Sequence, residues 1–227
     1  MDLTFTFHPG PNALTDLAKA RAEAAAAIGG GCAFLAGNGI DQHDEARPDA
    51  AGLARILAQV ETFDVSSWLE QRRVAAAAKM ARFLPNMGMT AEEFQAMTTG
   101  EWPGEQEHMA PTLNRNPQVR IARIGVPASW QIPAALGYGG WNDCPDAIAQ
   151  TALAKRWAAL YDADIIAVAH DIIEWEVRKP PRTQKAAMVL AWEQFRLCND
   201  IVDQGVQTVS NLGGSLLNSK YWYFWWD

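Results

Sequence analysis

The residues with the best means to do chemistry gather in two stretches of this chain. The first is Gly137-Tyr138-Gly139-Gly140-Trp141-Asn142-Asp143-Cys144-Pro145, and the second is Cys198-Asn199-Asp200-Ile201-Val202-Asp203-Gln204-Gly205. A loop with three glycines can take up left-handed backbone or approach another group closely. Leading into a helix, it would present free N–H groups and a positive dipole end. A thiol there, Cys144, can have a lowered pKa and act as nucleophile or metal ligand; the alternative is a small buried residue with no reactivity. His170 beside Asp171 could serve as a base or ligand, or be a solvated turn residue. Asp200 and Asp203 are three apart and could share a helical face as a hard-cation site, or simply cap a helix start. Cys144 and Cys198 could also meet as a redox pair, although neither belongs to a CxxC motif.

Each of these groups has a structural use as ready as its chemical one. The candidates for catalysis are Cys144, His170 and Asp203. Those for holding a ligand or partner are Trp141, Asn142, Asp143, Asp200 and Gln204. The histidines His8, His43, His108 and His170 show no paired spacing, so no zinc site is expected, and no motif calls for a cofactor.

Around these groups the elements can be read from periodicity and capping. Leu3, Phe5 and Phe7 alternate with polar residues as in a short strand, closed by His8-Pro9-Gly10-Pro11. A helix is expected from Asn12 to Ile28, stopped by Gly29-Gly30-Gly31, then a buried strand from Cys32 to Ala36. After a polar loop (Gly37 to Arg47) comes a helix from Pro48 to Val60. Ser67 and Glu70 have capping-box spacing for a helix running to Leu84, and Thr90 and Glu93 repeat it for a helix ending near Gly100. Residues 101–118 read as a loop and mark a boundary between a mostly helical part, 1–110, and an α/β part, 111–227.

In the second part Val119 to Val126 reads as a strand. Pro145 to Tyr161 reads as a helix with Ala149, Leu153, Trp157 and Leu160 on one face. Asp164 to Ala169 is an apolar strand, and His170-Asp171 a tight connection. Ile173, Trp175 and Val177 alternate with Glu174, Glu176 and Arg178, which predicts one wet face. Thr183 starts a helix, a further helical stretch runs from Ile201 or Val206 towards Leu217, and Tyr221-Trp222-Tyr223-Phe224-Trp225-Trp226 closes the chain as a strand. Large aromatics on both its faces predict an internal position, with the strand Cys32 to Ala36 beside it.

The fold class is therefore α/β (α+β), with a mainly antiparallel mixed sheet. The order of elements in the second part is that of the ferredoxin-like split βαβ pattern. That topology would bring Asp143, Cys144, His170, Asp171, Cys198, Asp200, Asp203 and Gln204 to one end of the sheet. Asn142 or Asp143 is then expected to hydrogen-bond to the segment from Cys198 to Gln204.

Taken in order, the two stretches above and the terminal Tyr221-Trp222-Tyr223-Phe224-Trp225-Trp226-Asp227 resemble the bacterial domain of unknown function 4253 family. The resemblance covers about the last 110 residues. It implies no established activity and no catalytic roles to carry over.

Composition narrows the function classes. The chain has 227 residues, 49% hydrophobic and 20% charged, with a formal net charge of −7. An acidic balance argues against nucleic acid as the main partner and fits a basic protein partner. All but Trp68 and Trp102 of the ten tryptophans lie from Trp130 onwards. Three cysteines without framework spacing suit a reducing compartment, and the first residues do not read as a secretory signal. The alanine-rich stretch from Ala18 to Ile28 is too short and too charged to span a bilayer. These features lead to the expectation of a cytoplasmic, acidic binding or interaction module of the immunity or regulator type, with no membrane partner. The alternative is a hydrolase or transferase using the Cys/His/Asp cluster.

Overall fold

The computed structural model describes residues 3–7, 13–27, 30–40, 47–108, 110–113 and 119–227. The expected strand terminator His8-Pro9-Gly10-Pro11, His43, the helix boundaries at Asn12, Ile28 and Gly29, and much of the polar loop before Arg47 lie outside them. The chain forms two compact units. One comprises Met1–Phe63, Met109–Lys179 and Lys220–Asp227; the other comprises Asp64–His108 and Pro180–Ser219. Both draw on residues from each side of the 110/111 boundary.

The first unit is built on a six-stranded sheet. Its strands are β1 (Thr4–Phe7), β2 (Cys32–Ala36), β3 (Arg120–Ile124), β4 (Ala163–Val168), β5 (Ile172–Val177) and β6 (Tyr221–Trp225), in the order β1-β3-β2-β4-β5-β6. Among the described residues only the β2–β4 pairing is parallel. The sheet is mixed and mainly antiparallel, and the class is α+β. The ferredoxin-like order is not what the strands adopt. β1 and β2 take the two sides of β3, so β6 pairs with the open side of β5. The terminal strand is thus at the sheet edge rather than internal, and β2 lies between β3 and β4, away from it.

Helices cover both faces, and α2 (Ala50–Glu61), capped by Asp49, follows β2 in the same unit. On one face α1 (Ala13–Ala26) buries Ala13, Leu17, Ala20 and Ala24 against Ala33, Leu35, Ile121 and Ile166. On the other face α7 (Ala147–Tyr161) centres on Trp157, which is fully buried. The Trp157 ring stacks on Phe224 at 5.5 Å and meets Trp175 and Trp222 edge-on at 5.7 Å each. Such ring packing adds to the area buried by a large aromatic. The buried row on α7 runs Ala149, Leu153, Trp157 and on to Tyr161, which meets Trp222 at 5.4 Å. Leu160 was expected on that face and is instead 51% exposed, because the row steps by four residues and passes it.

The wet face expected for β5 is also corrected. Glu174 is 1% exposed. Its carboxylate accepts hydrogen bonds from the Thr112 N–H (2.6 Å), the Thr112 hydroxyl (2.5 Å) and the Leu113 N–H (3.2 Å). Alternation alone cannot show that a loop will fold over a charged position and supply donors. At the opposite end of the strands Arg21 reaches from α1 to the carbonyls of Ala33 (3.0 Å) and Ile165 (2.5 Å), tying β2 to β4. Asp164 there accepts from Ser129 (2.6 Å) and pairs with Arg178.

The second unit is helical. It contains α3 (Val65–Ala81), α4 (Leu84–Met87), α5 (Ala91–Thr99), α8 (Gln184–Leu197), a π-helical turn (Ile201–Val206) and α9 (Val209–Leu216). The capping box at Thr90 and Glu93 forms as expected, and Thr183 caps α8 through the Ala186 N–H. The box expected at Ser67 and Glu70 does not form. Asp64 caps α3 by accepting from the Ser67 N–H and hydroxyl, and Glu70 pairs with Arg73. An aspartate one turn earlier wins because its carboxylate is a stronger acceptor than a serine hydroxyl at a helix N-terminus.

Glu174→Ala would leave the buried Leu113 N–H without its acceptor and release the exposed Thr112, a cost of about 1–3 kcal/mol. Glu174→Gln keeps an acceptor and should cost clearly less. Urea unfolding of the two variants checks this, and equal losses would contradict it.

Candidate functional site

The short helix α6 (Ile132–Leu136) opens the glycine-rich loop. It ends with Gly137 at φ 63°, its N–H bonded to the Ala134 carbonyl, while the Tyr138 N–H reaches the Pro133 carbonyl at 2.9 Å. This is the Schellman arrangement, and it turns the Tyr138 side chain into full burial. Gly139 follows at φ 102°. A Cβ there would lie 1.9 Å from the Pro145 carbonyl oxygen, so only glycine can occupy the position. The Gly140 N–H then donates to the carbonyls of Cys144 (3.1 Å) and Pro145 (3.2 Å), and the Cys144 N–H donates to the Trp141 carbonyl (2.9 Å).

The loop therefore closes on itself. Its Gly140 N–H points back into the loop and not towards a ligand. The start of α7 is capped as well, by Asp146 accepting from the Ala149 N–H at 2.9 Å. Pro145 precedes that cap and is not in the first turn. Asn142 sits at the tip with φ 47°, exposed, and Asp143 beside it is exposed too.

Trp141 anchors this tip. Its ring stacks on His170 at 5.2 Å and 13°. It meets Tyr138 and Trp226 edge-on at 6.2 and 6.4 Å. Trp226 in turn stacks on Phe224 at 6.0 Å. Aromatic contacts thus run without a break from Trp157 in the core through Phe224, Trp226 and Trp141 to His170. His170 is not the solvated turn residue that its hairpin position suggests: it is half-buried, and its N–H donates to the Asn38 carbonyl at 3.1 Å. The Trp226 N–H fixes the same hairpin through the Asp171 carbonyl at 3.1 Å.

Cys144 is 3% exposed, and the buried Gln150 amide donates to its Sγ at 3.3 Å. A thiol so enclosed is a poor nucleophile. Cys32 and Cys198 are also buried free thiols, and burial pushes the Cys32 thiol up, with the Arg21 charge offsetting part of that rise.

Of the residues expected to converge at one end of the sheet, Asp143, Cys144, His170 and Asp171 belong to the first unit, as do Trp141 and Asn142. Cys198, Asp200, Asp203 and Gln204 belong to the helical unit. There the Asn199 carbonyl accepts from the N–H groups of Val202 (2.9 Å) and Asp203 (2.8 Å), opening the π-helical turn. The Gln204 amide donates to Asp200 at 3.1 Å. The carboxyl of Asp203 is raised above the ordinary aspartate range by burial and by the neighbouring Asp200 charge, with an Asn199 hydrogen bond working the other way. Among the described residues no three or more His, Cys, Asp or Glu side chains gather as metal ligands would. Among them, too, no helix is long and apolar enough to cross a membrane.

Sequence reasoning did not single out Tyr138 and Trp226 as partners of Trp141. Their signal is in the chain, as a tyrosine inside the glycine stretch and a tryptophan surplus at the terminus, but aromatic type alone does not say which rings meet.

Residues 120–227 match the model of the family described as Domain of unknown function (DUF4253). The matched span holds the Trp141 loop, the π-helical turn and the terminal aromatic strand, so the C-terminal half of the chain carries a DUF4253 domain. No curated protein and no solved structure matches the chain.

Three outcomes follow from this geometry. Gly139→Ala should destabilise the protein by at least about 2 kcal/mol, whereas Gly140→Ala, at φ 85° with open space around it, should cost only about 1 kcal/mol. Thermal or urea unfolding of the two variants compares them, and a smaller loss at Gly139 would contradict the closed loop. A thiol reagent should label none of the three cysteines rapidly in the native protein and all three in denaturant; fast labelling of Cys144 would reopen the nucleophile reading. Asp203 is protonated more readily in the folded than in the unfolded chain. Its contribution is therefore neutral below the unfolded pKa, near about 3.9, and becomes destabilising as pH rises through the folded value. Asp203→Asn should remove that fall in a stability–pH profile, and an unchanged profile would contradict the raised carboxyl.

Proposed function

We propose that the protein is a cytoplasmic binding module of the immunity or regulator type that docks a basic protein partner on the Trp141 tip. The observation that carries this reading is the stack of Trp141 on His170, backed by Tyr138 and Trp226, beneath the exposed Asn142 and Asp143. A half-buried tryptophan fixed by its neighbours loses little freedom on binding, and tryptophan is enriched among residues that dominate interface energies. Asp143 and Asp146 are exposed on the loop, Asp171 is half-buried in the neighbouring hairpin, and the chain as a whole carries a net charge of −7. Acidic groups around an aromatic anchor steer a basic partner more than they tighten it.

An affinity pull-down from the native host tests the reading, comparing the native protein with Trp141→Ala and Asp143→Lys. A partner with a basic face should be recovered by the native chain and lost from Trp141→Ala, with affinity falling about 30-fold or more. Asp143→Lys should weaken capture most at low salt. Full retention of the partner by a folded Trp141→Ala would refute the docking site.

The alternative, a hydrolase or transferase, draws on one observation in the helical unit. Asp203 lies on a π-helical turn, a feature found often at functional sites, and its carboxyl is raised as a general acid requires. A screen of ester, amide and phosphoester substrates would favour it only if turnover disappears in Asp203→Asn and survives in Cys144→Ser.

A further inference from the structure

We propose that the helical unit holds a carboxylate-binding site where α3 meets α8, in which the Arg196 guanidinium grips the carboxylate of a ligand with an apolar body. The two helices carry the same module. Trp68 and Arg72 on α3, like Trp192 and Arg196 on α8, stand four residues apart, so each arginine shares a helix face with its tryptophan. Each guanidinium lies over that indole, Arg72 at 5.6 Å and Arg196 at 5.7 Å from the ring centroid. The modules meet, because the Arg72 Nε donates to the Arg196 carbonyl at 3.0 Å. Stacking on a ring holds a guanidinium in place without using its N–H donors.

The fate of those donors separates the two arginines. Arg72 spends its Nε on a carbonyl in the last turn of α8, where a cation also complements the helix dipole. The Arg196 Nε is enclosed and has no acceptor among the described residues. Its guanidinium forms no salt bridge among them either. The dipole accounts for an arginine at this helix end, but not for an enclosed N–H left unpaired, which native folds rarely keep. Burial also lowers the Arg196 guanidinium from the ordinary arginine value, with the Glu70 charge opposing that fall. An oxyanion on the fork would satisfy the donors and offset the lost hydration.

Neighbouring charges select the oxyanion. Glu70 is already gripped on both oxygens by Arg73, at 2.8 and 2.6 Å. Glu193 acts on Arg196 through its charge. With Arg72, Arg73 and Arg196 set against Glu70 and Glu193, a single positive charge remains, which matches a carboxylate. A phosphate dianion would bring one charge more than the site compensates. Trp192 and Phe195, edge-on at 5.8 Å and both half-buried, supply apolar surface beside the fork. The ligand is therefore a carboxylate on an apolar body, carried by a free acid or by a glutamate in an apolar peptide. This site is independent of the Trp141 tip.

NMR titration of the isotope-labelled full chain tests it, read at the Arg196 Nε–H resonance, which its loss in Arg196→Lys assigns. The probes are benzoate, an end-blocked Phe-Glu-Phe tripeptide, and inorganic phosphate at about pH 8. Benzoate or the tripeptide is expected to shift the resonance with a dissociation constant of about 1 mM, and phosphate to bind at least about 10-fold more weakly. The tighter of the two carboxylates tells a free acid from a peptide glutamate as the source. Arg196→Lys keeps the charge but loses the fork, and should weaken binding at least about 10-fold. Far-UV circular dichroism and the unfolding midpoint check that this variant is folded, and the native titration stands without it. No shift at Arg196 with either carboxylate up to about 50 mM, phosphate binding as tightly as benzoate, or full affinity in a folded Arg196→Lys would each overturn the proposal.

Discussion

Gly139 lies so close to the Pro145 carbonyl that a methyl group has no room, and the Gly137 to Pro145 loop depends on that approach. It lets the Gly140 N–H reach two carbonyls at once and folds the loop into a closed turn just before the Asp146 cap. With the backbone so fixed, Tyr138 is turned inward and Trp141 is held between the interior and the tip. The glycines here serve close packing and left-handed backbone, and the N–H groups of Gly140 and Cys144 are spent on the loop's own carbonyls. A phosphate cradle would need those N–H groups turned outward.

From Trp141 the contacts continue inward through Trp226 and Phe224 to Trp157, whose ring holds α7 to the sheet. Aromatic side chains bury a large area for few rotatable bonds, so such a run is stiff. The tip residues Asn142 and Asp143 are therefore exposed yet adjoin a run of packed rings that reaches the core. Preorganisation of this kind suits recognition, because little order remains to be imposed when a partner arrives. Cys144 plays a supporting part, enclosed with Gln150 under the loop.

Local signals in the sequence were legible where a side chain acts on its own backbone. Thr90 with Glu93, and Thr183, announced their helices because capping needs only residues three apart. His170 does meet the Trp141 ring, but not for the reason the sequence offered: β3 and β4 run antiparallel, so the right-handed crossover expected to bring them together is not formed. What failed depends on residues far apart in the chain. Glu174 reads as solvent-facing until Thr112 and Leu113 fold over it. The terminal strand reads as internal because its aromatics occupy both faces, yet one helix on one face and half-burial on the other satisfy them at an edge. The sheet order turned on β1 and β2 claiming both sides of β3, which no feature of the second half of the chain discloses. At the site, the pairing of Trp141 with His170 and Trp226 is a matter of ring geometry that residue type does not encode.

The claim at the centre of this account is that the Gly137 to Pro145 loop is a closed, rigid support for an exposed tip. Amide hydrogen exchange of Gly140, followed by NMR, tests it most directly. The expected result is slow exchange, comparable to core amides of β4 such as Ile165, with Asn142 exchanging fast. Gly140 exchanging as fast as Asn142 would contradict the claim, since its N–H could not then be held by Cys144 and Pro145.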